Sequence, residues 1–262
     1  MVVSVEISGI LEERLRRLVD LGIYATVAEA VREAVRDFLR KVDLKDIAFN
    51  LYVSRGASFQ YVAEFTGETF DALIDYFISR GVIPLIGVST REDLAILEPG
   101  PYVLDGLTVY VAYKAGLVDA MVELRELGYR FIAPRSVEGL VELLEAKRLA
   151  QGLLEAGVVE FMQAKPSRAP SDLVSVQEAS AVALARSRGL VLLSDDSRTR
   201  GYARSRGVRA YSLASMIATL WSIGRESVED YVYSYKSVPA LLPEEMLRSL
   251  MGLRERVRGE RA

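Results

Sequence analysis

Residues Val174 to Ala210, VSVQEASAVALARSRGLVLLSDDSRTRGYARSRGVRA, decide how this chain folds. Glu178 opens a helix that runs through Ala179, Val182, Ala183 and Ala185 and stops at Gly189. Leu190 to Leu193 is an unbroken apolar run of the kind buried in a parallel sheet. Asp195 and Asp196 stand just past its end, where open α/β sheets hold their ligands. A second helix carries Arg198, Arg200, Arg204 and Arg206 and ends at Gly207. Carboxylates at a strand terminus beside arginines point to a divalent cation and a phosphate-bearing substrate.

The same alternation of strand and helix begins upstream, at Tyr102. Tyr102-Val103-Leu104 reads as a strand ending at Asp105, and helices follow over Leu107–Ala115 and Val118–Leu127. Tyr129–Ala133 is a second strand, Ser136–Glu145 and Lys147–Leu154 are helical, and Val158–Phe161 is a third short strand. With Leu190–Leu193 and Val208–Tyr211 this gives roughly five strands, an α/β/α layer around a parallel sheet. Helices at Val228–Tyr235 and Pro243–Arg258 close the chain.

In such a layer Asp105, Glu178, Asp195 and Asp196 converge at one sheet edge. Clustered carboxylates repel unless a cation neutralises them. The plainer alternative is that Asp105 caps a helix and Asp195-Asp196 forms a turn. Composition narrows the chemistry further. The 262 residues contain no Cys and no His, which excludes disulfides, thiolate or imidazole metal sites and a Ser-His-Asp triad. Acid–base or metal chemistry therefore falls to Asp and Glu, hard oxygen ligands suited to Mg²⁺ or Mn²⁺. A formal charge of −3 and 50% apolar residues fit a globular chain. No apolar run of spanning length and no signal-like start is seen, so a cytoplasmic protein with no membrane partner is expected. Arginine dominates the basic residues, which is compatible with a thermophilic source.

The N-terminal 96 residues have a different character. Val3, Val5 and Ile7 alternate with Ser4, Glu6 and Ser8 as in a half-buried strand. Helical spacing over Leu11–Leu21 ends at Gly22, and Thr26 with Glu29 makes a capping box for a second helix. One strand and two short helices cannot make a core alone, so residues 1–42 call for a dimer partner. Residues 43–96 read as three helices: Leu44–Ser54, then Phe59–Phe65 capped by Ser58, then Glu68–Arg80. An apolar strand, Val82–Ile86, follows. That order is a helix-turn-helix, although acidic residues outnumber basic ones across it. Residues 91–100, ending in Pro99-Gly100-Pro101, read as a linker.

Three resemblances attach to these segments. Residues 1–42, through G-I-Y-A-T-V-A-E-A-V-R-E-A-V, resemble the ribbon-helix-helix family, which dimerises by strand pairing and reads operator DNA. That resemblance implies Ser4 and Glu6 as base-facing residues. The wording A-F-N-L-Y-V-S-R-G-A-S-F-Q-Y-V-A-E-F-T-G is similar to helix-turn-helix antitoxins encoded beside nuclease toxins. Residues 97–224 resemble a PIN domain, the nuclease fold of the VapC toxins, with residues 225–262 as its helical extension. The matching blocks are Gln177-Glu178-Ala179, Asp195-Asp196 with Arg200, Ala203 and Gly207, and Y-V-L-D-G-L-T-V-Y-V-A-Y-K-A-G-L early in the fold.

The PIN resemblance implies a Mg²⁺- or Mn²⁺-dependent endoribonuclease with Asp105, Glu178, Asp195 and Asp196 as catalytic and metal-binding residues. Of the adjacent pair, Asp195 is the better candidate if one alone ligates. The family's second acid is not at its usual place, and Glu138 or Glu142 is left to substitute. Arg198, Arg200 and Arg204 are the candidate RNA contacts. The whole is expected as a toxin–antitoxin fusion in one chain, dimeric or higher, with the nuclease held in check by its own N-terminal half. The alternative is a DNA-binding regulator whose PIN-like domain is degenerate and serves assembly.

Overall fold

The computed structural model of the chain describes residues 4–137, 157–164, 173–225 and 228–238. It divides into two compact units, Met1–Ile47 and Ala48–Ala262. Among the described residues no helix is long and apolar enough to cross a membrane.

The first unit consists of α1 (Ile10–Asp20) and α2 (Val27–Lys41) packed on each other. Thr26 caps α2 by accepting from Glu29 N–H, while the Glu29 carboxylate reaches back to Ala25 N–H and not to Thr26, so the box is offset by one residue. No residue of α1 is buried, and Val5, Ile10, Leu11, Leu21, Ile23 and Phe38 are all more than half exposed. The strand expected at residues 3–7 does not form over the described residues 4–8. A strand needs a hydrogen-bonded neighbour, and this unit supplies none.

The second unit holds a five-stranded, all-parallel sheet in the order β3-β2-β1-β4-β5. Its strands are β1 (Pro101–Leu104), β2 (Arg130–Pro134), β3 (Val159–Met162), β4 (Val191–Leu193) and β5 (Ala210–Tyr211). Alternate strand residues face two apolar layers. Val103, Ile132 and Leu192 pack on one side with Ala181, Val182, Ala185 and Ala203. Those come from α8 (Val176–Arg188) and α9 (Ser197–Ser205). Leu104, Phe131 and Leu193 face the other side. There they meet α6 (Gly106–Lys114), α7 (Val118–Glu126), α10 (Ala214–Ser222) and α11 (Val228–Ser237). The period-2 pattern thus yields the α/β/α layering that the sequence predicts.

The helical segment shares this second core. It comprises α3 (Leu44–Arg55), α4 (Phe59–Thr66) and α5 (Phe70–Ser79). Phe59 and Phe77 are fully buried, with ring centroids 5.5 Å apart, and Tyr52 lies 5.9 and 5.0 Å from them. Phe70 meets Tyr110 of α6 at 5.0 Å. Such pairs contribute about 0.5–1.5 kcal/mol each beyond their burial. Helices α3–α5 are therefore fastened to the sheet layer by its own core.

Two expectations change here. The strand at Val82–Ile86 reduces to a single bridge between Ile86 and Asp196. Pro84 has no N–H to donate, and Leu85 N–H goes to the Tyr52 hydroxyl instead of a ladder. The linker at 91–100 is a strap bonded along its length. Asp93 C=O accepts from Ser212 N–H, and the Ala95 and Leu97 N–H groups donate to Ser215 Oγ and Thr219 Oγ1. Polar composition alone does not separate a linker from a strap whose partners are hydroxyls on α10. Glu138, Glu142 and the helices expected at 136–154 and 243–258 lie wholly or mostly outside the described residues.

Candidate active site

Asp105 follows β1 and caps α6, accepting from Thr108 N–H at 2.9 Å. Glu178 sits in the first turn of α8 and closes a capping box with Ser175. Asp196 follows β4 and caps α9, accepting from Arg198 N–H at 2.9 Å. Asp105 and Asp196 thus cap helices, and the strand ends bring them together with Glu178. All three are essentially inaccessible to solvent.

Their partners come largely from α4. Ser58 Oγ–H donates to Glu178 Oε2 at 2.5 Å, and Phe59 N–H donates to Asp196 Oδ2 at 2.5 Å. The N-terminus of α4, the positive end of its dipole, thus points at two carboxylates. Gln60 completes the contact, donating to Ser175 Oγ and accepting from Leu107 N–H. Thr199 Oγ–H donates to the remaining Glu178 oxygen, and Ser175 N–H also reaches Oε2. Asp105 Oδ2 is buried with no partner.

Neutral donors do not cancel three charges. Burial pushes the Asp105 carboxyl up to about 6, and the Asp196 charge adds to it. Burial, then the charges of Asp196 and Asp105, push Glu178 well above the usual carboxylate range. Burial raises Asp196 as well, against its backbone donors.

Asp195 belongs elsewhere. Its Oδ1 accepts from Ser212 Oγ–H at 2.6 Å, Leu213 N–H at 2.9 Å and the Tyr235 hydroxyl at 3.0 Å, on the α10–α11 side of the sheet. Its Oδ2 is buried without a partner. Consecutive residues of an extended chain point to opposite faces, so only one of the pair can join Asp105 and Glu178. That residue is Asp196, which reverses the preference for Asp195.

The expected RNA-contacting arginines are used inside the fold. Arg200 is fully buried and grips both oxygens of Asp93 at 2.9 Å while donating to Ser194 C=O. Burial raises the Asp93 carboxyl, but the hydrogen bonds and charge of Arg200 override it and hold Asp93 at about 2. Arg204 adds a bond to the same Asp93 and donates to Glu92 C=O and Ala210 C=O. Arg198 lies over the Tyr52 ring, 5.6 Å from its centroid. Gly56 makes room for it: φ is +75°, and a Cβ there would stand 2.9 Å from Arg198 Nη1. These three arginines fasten the strap and α3 to the sheet edge. Ser4 and Glu6 lie exposed in the first unit, ahead of α1.

The carboxylates, as folded, do not fit a cation. Every oxygen of Glu178 and Asp196 accepts from a protein donor. Among the described residues no three acidic side chains stand at metal-holding spacing. Sequence reasoning identified Ser58 as a helix cap but had no signal for its bond across 120 residues. It missed Thr199, Gln60 and Tyr235 altogether. No protein-family model matches the chain, and no curated protein matches it.

Proposed function

We propose that the chain is a latent Mg²⁺- or Mn²⁺-dependent endoribonuclease of the PIN, toxin–antitoxin type, carried in one chain with the antitoxin-like modules that hold it closed. The observation that carries this reading is the contact of Ser58 and Phe59 with Glu178 and Asp196. A helix N-terminus supplies partial positive charge to carboxylates at the C-terminal edge of a parallel sheet, where a cation would otherwise be needed. In this reading Asp105, Glu178 and Asp196 are the catalytic acids and the N-terminus of α4 is the inhibitor. The exposed apolar face of residues 1–42 supports pairing with a second copy, with operator DNA as a further partner.

The second reading, a DNA-binding regulator with a degenerate PIN-like domain kept for assembly, is favoured by the absence of metal-holding spacing among the described residues. The test uses the full chain. Ser58→Asp sets a third acid against Glu178 and drives α4 away from the site. RNA cleavage in Mn²⁺ is then expected to rise, to vanish in EDTA and to vanish when Asp105→Asn is added. If neither chain cleaves RNA, and calorimetry finds no Mn²⁺ binding to Ser58→Asp, the nuclease reading fails and the regulator stands.

A further inference from the structure

The turn from Ser194 to Ser197, which joins β4 to α9 and carries Asp196, is held by a segment that precedes the sheet in sequence. Gly87 N–H donates to Asp195 C=O at 2.7 Å, Ser197 N–H donates to Leu85 C=O at 3.2 Å, and Ile86 makes its bridge with Asp196 itself. Gly87 takes a φ of +94°, a conformation that strains any residue with a Cβ. A further hold runs through Asp93. The N–H groups of Ser89 and Thr90 fix its carboxylate at 2.9 Å, the carboxylate grips Arg200, and Arg200 Nη1 donates to Ser194 C=O at 2.7 Å. Arg200 lies one turn into α9, and its own N–H donates to Asp196 C=O at 3.0 Å. The carbonyls of Ser194, Asp195 and Asp196 are thus each bonded, the first through Asp93 and the second directly from Gly87.

Fixing successive peptide planes fixes φ and ψ between them, and with them the direction in which a side chain leaves the backbone. At Asp196 that direction is what counts, because its neighbour Asp195 leaves toward α10 and α11. We propose that residues 85–93 are part of the candidate site and that Asp93 is a positioning residue. Through Arg200 and the Ser194 carbonyl it aims the Asp196 carboxyl toward Asp105 and Glu178. Residues 85–93 lie ahead of β1, so the sheet layer carries the three acids but not the whole frame that aims them. The role of Asp196 in cleavage rests on the nuclease reading, but the aiming of its side chain does not.

The probe is the Phe59 N–H, 2.5 Å from Asp196 Oδ2, since a short bond to a carboxyl oxygen draws an amide proton downfield. The experiment is ¹H–¹⁵N NMR of the full chain, with every variant at the same pH. Asp93→Asn keeps one oxygen and loses the two-pronged grip on Arg200, and Gly87→Ala strains the hold on Asp195. In both, the Phe59 proton is expected to move upfield. Val159→Ala truncates the core in β3, with β2 and β1 between it and β4, and is expected to leave that proton in place. If Asp93→Asn loses its native spectrum, Gly87→Ala carries the test. A Phe59 proton that holds its position in the folded variants, or that Val159→Ala moves as far, overturns the proposal. In the Ser58→Asp chain, adding Gly87→Ala is expected to lower Mn²⁺-dependent RNA cleavage roughly tenfold or more, because misplacing a group by about 1 Å can cost about 10²-fold. Cleavage unchanged by Gly87→Ala also overturns the proposal. A displaced Phe59 proton with no cleavage in any chain would retain the aiming of Asp196 and remove the nuclease.

Discussion

At Asp93 a buried carboxylate meets a buried guanidinium; at Asp105, Glu178 and Asp196 three buried carboxylates meet only hydroxyl and backbone N–H groups. Residues of α9 and its cap contribute to both centres, Arg200 to the first and Asp196 and Thr199 to the second. At the first, charge is matched by charge, and Asp93 is held at about 2. At the second the hydrogen-bonding contacts offer only partial charge, with the Arg200 guanidinium acting on Asp196 without bonding to it, and Asp105 rises to about 6. The first centre is complete as built and welds the strap to the sheet. The second is matched neither in charge nor, at Asp105 Oδ2, in hydrogen bonds, and burial shifts its carboxyls toward the protonated form. That contrast separates a structural carboxylate from a candidate catalytic one better than burial does, since both are buried.

Removing the matching charge should give the largest effect. Arg200→Met leaves Asp93 buried and unpaired except for Arg204, and a stability loss of about 3–5 kcal/mol is expected in urea denaturation. A loss under about 1 kcal/mol would mean that water or Arg204 replaces Arg200, and the contrast would weaken.

Changing an acid at the second centre should act with the opposite sign. The Asp105 pKa is raised from 3.8 to about 6 in the folded chain, so the folded state holds its proton while the unfolded state releases it. The stability this group contributes is complete below pH 4 and is lost as pH rises through about 6. The full difference is about 3 kcal/mol. Asp105→Asn keeps an oxygen for Thr108 N–H and carries no charge. It is expected to be more stable than the parent chain at pH 8, by up to about 3 kcal/mol, and equal to it near pH 4. Asp93→Asn should instead destabilise, because the depressed pKa of Asp93 supports the fold above pH 4 and fails only as pH falls toward 2. Denaturation curves from pH 4 to 8 on the two variants decide it; parallel curves would show that the centres are alike.

How far the sequence carries toward these centres follows from the range of each interaction. Local signals read well: Ser58 and Thr26 as caps, Gly189 in its left-handed conformation ending α8, and the apolar run at Leu190–Leu193 as a central strand. They depend on neighbours within four residues. The strand at 82–86 reads wrongly because an apolar run reports burial, not a neighbour to pair with, and the strand at residues 3–7, which calls for a second copy to pair with, does not form over residues 4–8 of the single chain. The choice between Asp195 and Asp196 turns on which face of β4 meets α8, which the pair's own residue types do not encode. Arg200 read as a phosphate contact because nothing near it in sequence reveals Asp93, 107 residues away.

The smallest effect tests the link between α4 and the acids. Ser58 Oγ does two things: it caps α4 by accepting from Tyr61 N–H, and it donates to Glu178. Losing the cap alone costs about 1 kcal/mol at any pH. Losing the donor costs more when Glu178 is ionised, since a hydrogen bond to a charged group is about twice as strong as a neutral one. Glu178 holds its proton well above the usual carboxylate range, so at pH 5 Ser58→Ala should show little beyond the cap loss. As pH rises through the range in which Glu178 ionises, the loss should grow toward about 2 kcal/mol. Adding Glu178→Gln should remove the pH-dependent part and leave the cap, a coupling that a double-mutant cycle reads directly. A cost that stays flat with pH, and additive with Glu178→Gln, would make Ser58 a helix cap and nothing more. The helical segment would then cover the acids without answering their charge, and its claim to stand in for a cation would fall.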